Sequence, residues 1–317
     1  MGPLPGRLPI AVAAGRPLAV GDGARNAARL APRRIPPGVR RHRVLLSIAN
    51  HSVAIALSVV FLAPFVFIVL TALMTREQAL STRLWPRPFE WSNFREVFHL
   101  FPLWTYALNT FLYAGLSTIG VVVSSVPVAY ALSRMRWRGR QAVFLIVLST
   151  LMLPTQVTIV PLYVIFVRLH WIGSLKPLIV PSFFGDAFAI FLLRQFFLTI
   201  PQELSDAARV DGAGEFQIMT RVIVPLAKSG IAAVALFQFL YAWNDFFNPL
   251  VYSGNNPRSI TLAVALSQLV ENIHIHLGVL WNVEMAASVL FMLPVILIFF
   301  FAQRAFIEGV TLTGVKG

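Results

Sequence analysis

The chain contains long apolar blocks without charged residues, and these blocks restrict its fold more than any other feature. Residues 44 to 75, for example, include no Asp, Glu, Lys or Arg. About 20 predominantly apolar residues are enough for a helix to cross the hydrocarbon core of a bilayer. Because hydrocarbon offers no hydrogen bonds to free backbone groups, such blocks fold as helices. The sequence therefore predicts an all-α polytopic membrane protein.

Six blocks are long enough to span the membrane, and the composition agrees with this interpretation. Apolar residues make up 57% of the chain and charged residues 12%, whereas about 25% of a soluble domain is charged. The predicted spans are Val53–Met74, Thr110–Leu132, Ala142–Val167, Leu178–Phe197, Ile231–Tyr252 and Met285–Gln303. An even number of spans places both termini on the same side of the membrane.

The distribution of basic residues predicts which side that is. Nineteen of the 26 Lys and Arg residues lie in the two terminal segments and in the loops at 133–141 and 194–230. Cytoplasmic loops carry an excess of Lys and Arg, and short loops report orientation best. Both termini are therefore predicted to be cytoplasmic. The net charge of +13 is then a topology signal, and we predict no nucleic-acid partner.

Residues 1–43 differ from the rest of the chain. They are rich in Arg, Pro, Gly and Ala and contain no sustained apolar period, which favours a disordered basic tail in the cytoplasm. Such a tail can attract anionic membrane lipid. Residues 44–317 form the predicted transmembrane domain.

Two acidic residues fall inside predicted spans, Asp186 in the fourth and Asp245 in the fifth. A charge at this depth costs several kcal/mol unless it faces a polar cavity or a partner. We therefore expect both carboxylates to face the interior of the bundle, with Asn244, Gln156 or Tyr163 as hydrogen-bond partners. They either contact hydroxyl groups of a passing solute or form structural bonds between helices, and the sequence leaves both open. Asp186, Asn244 and Asp245 are the candidate residues of a translocation path.

A polar, helix-prone stretch at residues 199–228 interrupts the apolar blocks. Thr199 and Gln202 fit a capping box at a helix start, and Gly212 fits a helix stop that needs a left-handed backbone. One face of the predicted helix carries Leu204, Ala207, Ala208 and Asp211. This helix-turn-helix elbow has two interpretations. It docks into a groove on a partner protein, or it rests on the membrane surface.

Several segments of the chain resemble one family. Glu203 to Ala213, with the sequence ELSDAARVDGA, resembles the EAA motif of binding-protein-dependent ATP-binding-cassette (ABC) import permeases. Leu204-Ser205 stand where an alanine pair is common, but Asp211-Gly212-Ala213 are intact. Met152–Phe166, Ile190–Leu204 and the Trp243-Asn244-Asp245 tract resemble the carbohydrate-uptake branch, and Ala302 to Gly317 resembles the maltose-permease type. The resemblance covers about Val44–Gly317.

The resemblance implies a specific architecture and function. The fold would be that of an importer type I permease, with six transmembrane helices and a cytoplasmic coupling-helix loop. The protein would be the permease subunit of an ATP-driven importer of a sugar or related polyol in the bacterial inner membrane. The residues that would couple to the ATPase are Glu203, Ala207, Ala208, Asp211, Gly212 and Ala213.

The same resemblance implies partners and a division of labour. A second permease would complete the translocation path, an extracytoplasmic solute-binding protein would deliver the solute, and two cytosolic ABC ATPase subunits would supply the work. ATP and Mg would bind to those ATPase subunits. The permease itself would be no enzyme and would hold no cofactor.

No group of residues in the sequence predicts catalysis or metal binding. The chain has no cysteine, which excludes thiol nucleophiles, disulfides and thiolate-bound metals. No glycine-rich loop ends in Lys followed by Ser or Thr, so we predict no nucleotide site. An ion-coupled secondary transporter or a channel for a polar solute is the alternative. It would explain the spans and the buried acids, but not the Asp211-Gly212-Ala213 turn.

Overall fold

The computed structural model describes residues 37–100, 102–254, 256–276 and 278–314, and within these ranges the regular structure is helical. A 3₁₀ turn covers Val180–Phe184 and a π-helical turn covers Met219–Ile223. The α-helices are α1 (Pro37–Ala72), α2 (Arg76–Ala79), α3 (Ser92–Leu100), α4 (Leu103–Ser133), α5 (Arg140–Thr150), α6 (Thr155–Arg168), α7 (Lys176–Ile179), α8 (Ala187–Thr199), α9 (Gln202–Val210), α10 (Glu215–Ile218), α11 (Val224–Leu226), α12 (Lys228–Asn244), α13 (Phe247–Ser253), α14 (Leu262–His276) and α15 (Trp281–Gly314).

The chain separates into two compact units, residues 1–62 and 63–317. The described residues of the first unit belong to α1, and its side chains at 47–62 are exposed and mostly apolar. Of the predicted tail at 1–43, residues 1–36 lie outside the described residues, and α1 begins at Pro37.

Four segments of the described chain are long and apolar enough to cross a membrane: Ser47–Ala72, Leu103–Ser133, Lys176–Thr199 and Trp281–Phe300. A fifth candidate joins Glu215–Leu226 to Lys228–Asn244 through a bend of 80°. The chain is thus an all-helical membrane protein, with four or five candidate spans where the sequence predicts six.

The difference in number arises at the third predicted span, Ala142–Val167. This segment is not one helix but two shorter apolar helices, α5 and α6, with residues 151–154 between them. Pro154 precedes α6 in an extended conformation, with φ −62° and ψ 135°. A proline has no N–H for the helical ladder and disfavours helical backbone at the residue before it. The proline therefore breaks the predicted span.

Helix α4 is central to the second unit, residues 63–317. It packs against α7, α8, α12 and α14, and apolar side chains fill the space around both of its halves. The cluster around the first half includes Tyr113, Trp243, Val264, Val283 and Ala286. The cluster around the second half includes Val121, Leu193, Phe197, Ile218 and Ile223.

Close approach between α8 and α12 depends on a glycine. A Cβ atom added to Gly230 of α12 would lie 2.5 Å from Cγ of Phe196 in α8. In membrane proteins, small residues at such contacts let two helices pack tightly. The elbow at 199–228 connects these two helices, so this tight contact holds both ends of the elbow.

Candidate functional site

The elbow turns at the glycine that the sequence predicts. Gly212 has φ +82°, a left-handed conformation that costs glycine little because it has no Cβ. The Gly212 N–H donates to the Arg209 carbonyl (3.0 Å), and the Ala213 N–H donates to the Ala208 carbonyl (2.9 Å). This pair of bonds is a Schellman motif, which satisfies the last carbonyl groups of a helix. The predicted helix stop at Gly212 is confirmed.

Arg209 links the two arms of the elbow. Its guanidinium donates to Asp206 on α9 (2.7 Å) and to Oε1 of Glu215 at the start of α10 (2.8 Å). The hydroxyl of Tyr130 on α4 donates to the other oxygen of Glu215. The Arg209 guanidinium holds the pKa of Glu215 below its ordinary value. One arginine and one glutamate therefore fix the angle of the elbow and join it to α4.

The predicted coupling residues divide between the two sides of the elbow. Four of them are exposed, Glu203, Ala207, Asp211 and Gly212. Ala208 and Ala213 are half-buried and pack against the cluster around the second half of α4. The exposed side also carries large apolar side chains: Val210 is 88% exposed and Phe216 is 74% exposed. The polar elbow thus exposes two large apolar side chains close in sequence to the predicted coupling residues.

Arg134, which follows the last residue of α4, is an anchor that the sequence reading missed. Its side chain is buried and donates to the carbonyl oxygens of Phe197 and Ile200, and to Oε1 of Gln202 (3.1 Å). These acceptors lie at the end of α8 and the start of α9, where helix carbonyls lack partners. Burial lowers the pKa of Arg134. Arg134, which the sequence marks only as a cytoplasmic charge, thus ties α4 to the elbow.

The predicted capping box at the start of the elbow is wrong. Thr199 is the last residue of α8, and its hydroxyl donates to the Phe196 carbonyl (2.7 Å). Helix α9 begins at Gln202 after Pro201, without a side-chain cap. The side chain that would have closed the box, Gln202, accepts from Arg134 instead. A buried guanidinium is a stronger donor than a backbone amide, and it lies outside the local sequence pattern.

A cavity of about 620 Å³ lies among α4, α6, α8, α12 and α13. Its volume is typical of sites for small molecules. Its wall includes an edge-to-face pair, Phe188 and Phe237, with ring centroids 6.0 Å apart. The polar residues that line it are Tyr113, Thr158, Ser182, Asp186, Gln238, Tyr241, Asn248 and Tyr252.

Asp186 lies at a break in the fourth predicted span and also lines the cavity. The chain turns at Gly185, with φ +97°, and Asp186 then caps α8: its Oδ1 accepts the N–H of Ala189 (2.7 Å). The Asp186 N–H donates to Oγ of Ser125 on α4 (3.3 Å). Backbone that is irregular at membrane depth needs such partners or a wet cavity. Asp186 has both.

Asp245 lies at a second break, between α12 and α13. Its Oδ2 accepts from the Tyr113 hydroxyl (2.7 Å) and from Nδ2 of Asn248 (3.0 Å), and its Oδ1 accepts the Asn248 N–H (3.2 Å). Tyr113 and Asn248 line the cavity, and Asp245 itself is not among the lining residues. The Asp245 carboxylate therefore holds two lining residues, Tyr113 and Asn248, from outside the cavity.

The third candidate, Asn244, faces a different cavity. It donates to the Leu240 carbonyl of its own helix (2.8 Å) and lines a mostly apolar cavity of about 440 Å³ next to α15. Within the described residues, the expected partners Asn244, Gln156 and Tyr163 bond to neither carboxylate. That expectation was wrong because the break at 185 turns Asp186 toward its own following helix, and the break at 245 turns Asp245 toward Asn248 and Tyr113.

Comparisons with known proteins agree on one class of protein. Residues 117–311 match the family described as "Binding-protein-dependent transport system inner membrane component". The arabinooligosaccharide transport system permease protein AraQ of Bacillus subtilis is 32% identical over 268 residues, which cover 82% of this chain and 92% of that protein. The sn-glycerol-3-phosphate transport system permease protein UgpE of Rhizobium meliloti is 37% identical over 205 residues, or 65% and 71% of the two chains.

A solved structure has the same fold. It is a bacterial ABC transporter involved in the import of the acidic polysaccharide alginate, and its matching chain superposes with a TM-score of 0.72 at 24% identity. The match covers 83% of this chain and 97% of that one.

Proposed function

Because this chain belongs to the family of binding-protein-dependent transport system inner membrane components, we propose that its cargo is a sugar or a related polyol. The chain is a permease subunit of an ABC importer that works with a binding protein, and ATP hydrolysis lies in partner subunits. The relatives named for arabinooligosaccharides and for glycerol-3-phosphate support this class of cargo.

The proposed topology has six spans, with both termini in the cytoplasm. It treats α5 and α6 together as one broken span at 142–167. The fifth span is Ile231–Tyr252, which contains most of α12 and α13. The basic loops at 133–141 and 194–230 support this orientation, since cytoplasmic loops carry an excess of Lys and Arg. Residues 44–317 are then the permease domain, with residues 1–43 as a cytoplasmic tail.

The elbow is the proposed docking surface for one of two cytosolic ATPase subunits. The observation that carries this proposal is the exposure of Val210 and Phe216 on a segment that is otherwise polar. Apolar anchors on a short helix suit a groove on a partner protein. The proposed contact residues are those that the sequence predicts, Glu203, Ala207, Ala208, Asp211, Gly212 and Ala213.

Arg134 is the proposed route by which movement of the elbow reaches the membrane. Its bonds to Phe197, Ile200 and Gln202 join the end of α4 to the two helices on either side of Pro201. A push on α9 would therefore move α4 and α8 together. Both helices line the cavity, so the same push changes its shape.

The cavity is the proposed part of the translocation path within this subunit, completed by a second permease. Asp186 lines it directly, and Asp245 holds Tyr113 and Asn248 in its wall. Asn244 lines the neighbouring apolar cavity instead. Broken helices around a polar cavity are a common way to build a solute site at membrane depth.

Replacement of Gly212 tests the docking proposal. Gly212→Asp adds a negative charge to the proposed docking surface, and we expect it to abolish ATP-dependent uptake and co-purification of the ATPase while membrane insertion stays normal. Gly212→Asn is the matched control, because asparagine also tolerates a left-handed backbone and adds no charge. We expect this variant to retain most uptake. Normal uptake and ATPase binding by the aspartate variant would refute the docking assignment.

A further inference from the structure

The lining of the cavity points to the charge of its occupant. Among the described residues that line it there is a carboxylate, Asp186, but no lysine, arginine or histidine. We propose that the cavity accepts neutral polyhydroxylated solutes and excludes anionic ones such as phosphorylated sugars or uronates. This inference rests on the proposed function, since it concerns the solute that passes through the cavity. The similar proteins named above include transporters for both kinds of solute.

Asp186 places a negative charge at the cavity, and none of the described residues that line the cavity is basic. Its Oδ1 accepts the Ala189 N–H (2.7 Å), and within the described residues no further hydrogen bond reaches Oδ2. Arg209 of the elbow pairs with Asp206 and Glu215 instead. An unbalanced carboxylate in a site of low dielectric constant repels an anion strongly.

Asp245 adds a second carboxylate behind the wall. It accepts three hydrogen bonds, one from Tyr113 and two from Asn248, and donates none. A carboxylate that only accepts has the pattern of the ionised form. Tyr113 and Asn248 are neutral, so the net negative charge behind the cavity wall remains.

Basic residues on the neighbouring elements do not compensate for these charges. Lys176 and Arg168 are exposed and are absent from the lining of the cavity. Arg194 donates to the Leu132 carbonyl (3.1 Å), and its guanidinium lies 4.1 Å from the centre of the Phe144 ring. A phosphate or carboxylate in the cavity would thus lose its hydration without gaining a cation, which is an unfavourable exchange.

The remaining wall suits a neutral sugar. Gln238 offers an amide donor and acceptor, Asn248 offers its amide oxygen as an acceptor, and Tyr241 adds a hydroxyl group. The rings of Phe188 and Phe237 present apolar surface beside them. Sugar hydroxyls donate and accept like the amides, while sugar C–H groups are attracted to the negative face of an aromatic ring.

The absence of cysteine from the whole chain gives a direct test. Gln238→Cys, and separately Tyr241→Cys, would be prepared in the intact importer and treated with two methanethiosulfonates of similar size. One carries a trimethylammonium group and the other a sulfonate group. The readout is the rate of modification of this chain, measured by mass, with each rate divided by that for a free thiol in solution. This ratio cancels the intrinsic reactivity of the reagents.

We expect the cationic reagent to react about tenfold faster than the anionic one after this normalisation. Asp186→Asn in the same background should abolish most of the preference. Asparagine caps helices as well as aspartate does, so the bond to Ala189 is retained and only the charge changes. Equal rates, or faster reaction of the sulfonate, at both cysteine positions would overturn the inference.

A second readout separates this inference from the proposed function. ATP-dependent uptake of labelled neutral oligosaccharides, glycerol-3-phosphate and an oligouronate would be measured with the wild-type importer. Uptake of the neutral solute alone, with protection of the Gln238→Cys thiol by that solute, supports both. ATP-dependent uptake of an anionic solute overturns the charge selection and leaves the importer assignment standing. Lack of ATP-dependent uptake of any polar solute overturns the proposed function, while the reagent rates still decide the charge of the cavity.

Discussion

The elbow at 199–228 and the cavity around Asp186 expose opposite kinds of side chain. In the elbow Arg209 pairs with Asp206 and Glu215, and the apolar side chains of Val210 and Phe216 are exposed. In the cavity the aromatic rings pair, and a carboxylate lines the open space. Each region thus exposes groups that its surroundings do not favour. The elbow is therefore the proposed surface for a protein partner, and the cavity is the proposed site for a polar solute.

The largest expected effect comes from a residue that joins the two regions. Arg134→Met keeps the apolar length of the side chain but removes every donor to Phe197, Ile200 and Gln202. Leaving buried acceptors without partners costs about 1–3 kcal/mol for each group. We expect uptake to fall to background and the midpoint of thermal unfolding in detergent to drop by several degrees.

Arg134→Lys is the control for this prediction. Lysine keeps the charge but offers one compact ammonium group in place of the planar fork of arginine. It should recover part of the thermal stability and less of the transport. If the methionine variant transports normally, the elbow and the cavity move independently of this arginine, and the proposed route between them is wrong.

The next prediction concerns the tight contact where the elbow joins the membrane helices. Gly230→Ala places a Cβ 2.5 Å from the Phe196 ring, and overpacking of this kind costs about 1–3 kcal/mol. We expect a lower midpoint of thermal unfolding and reduced uptake. Gly214→Ala is the matched control within the elbow, because nothing lies within 4 Å of its added Cβ. Equal stability of the two variants would show that α8 and α12 can separate without loss.

A smaller effect is expected from the ion pair in the elbow. Glu215→Gln removes the charge that Arg209 and Tyr130 bind, and since the pair is partly exposed we expect a loss of less than about 1 kcal/mol. The folded state lowers the pKa of Glu215. The wild type should therefore be more stable than the variant at and above pH about 5, and the difference should vanish as the pH falls below about 4. A difference that persists in acid would argue against the ion pair as its cause.

The sequence predicts the elbow better than the cavity, for a physical reason. The stop at Gly212 depends on one residue that tolerates a left-handed backbone, so a local pattern finds it. The apolar spans depend on composition alone. Arg134 was not found, because four arginines alternate in one short loop and only tertiary packing decides which of them turns inward. The cavity is also non-local: Tyr113 and Asp245 are 132 residues apart.

The smallest expected effect tests whether the solute binds in the polar cavity and not in the apolar cavity next to α15. Asn244 and Gln238 lie on the same helix, but Asn244 faces the apolar cavity next to α15 and Gln238 faces the polar one. Asn244 bonds to its own helix through the Leu240 carbonyl, and that carbonyl keeps its helical partner when the side chain is removed. Asn244→Ala should therefore change the apparent KM for the solute less than twofold. Gln238→Ala should raise it several-fold, since one lost hydrogen bond of about 1 kcal/mol changes binding about fivefold. A larger effect at Asn244 than at Gln238 would move the path to the apolar cavity, and the contrast between elbow and cavity would then concern the wrong cavity.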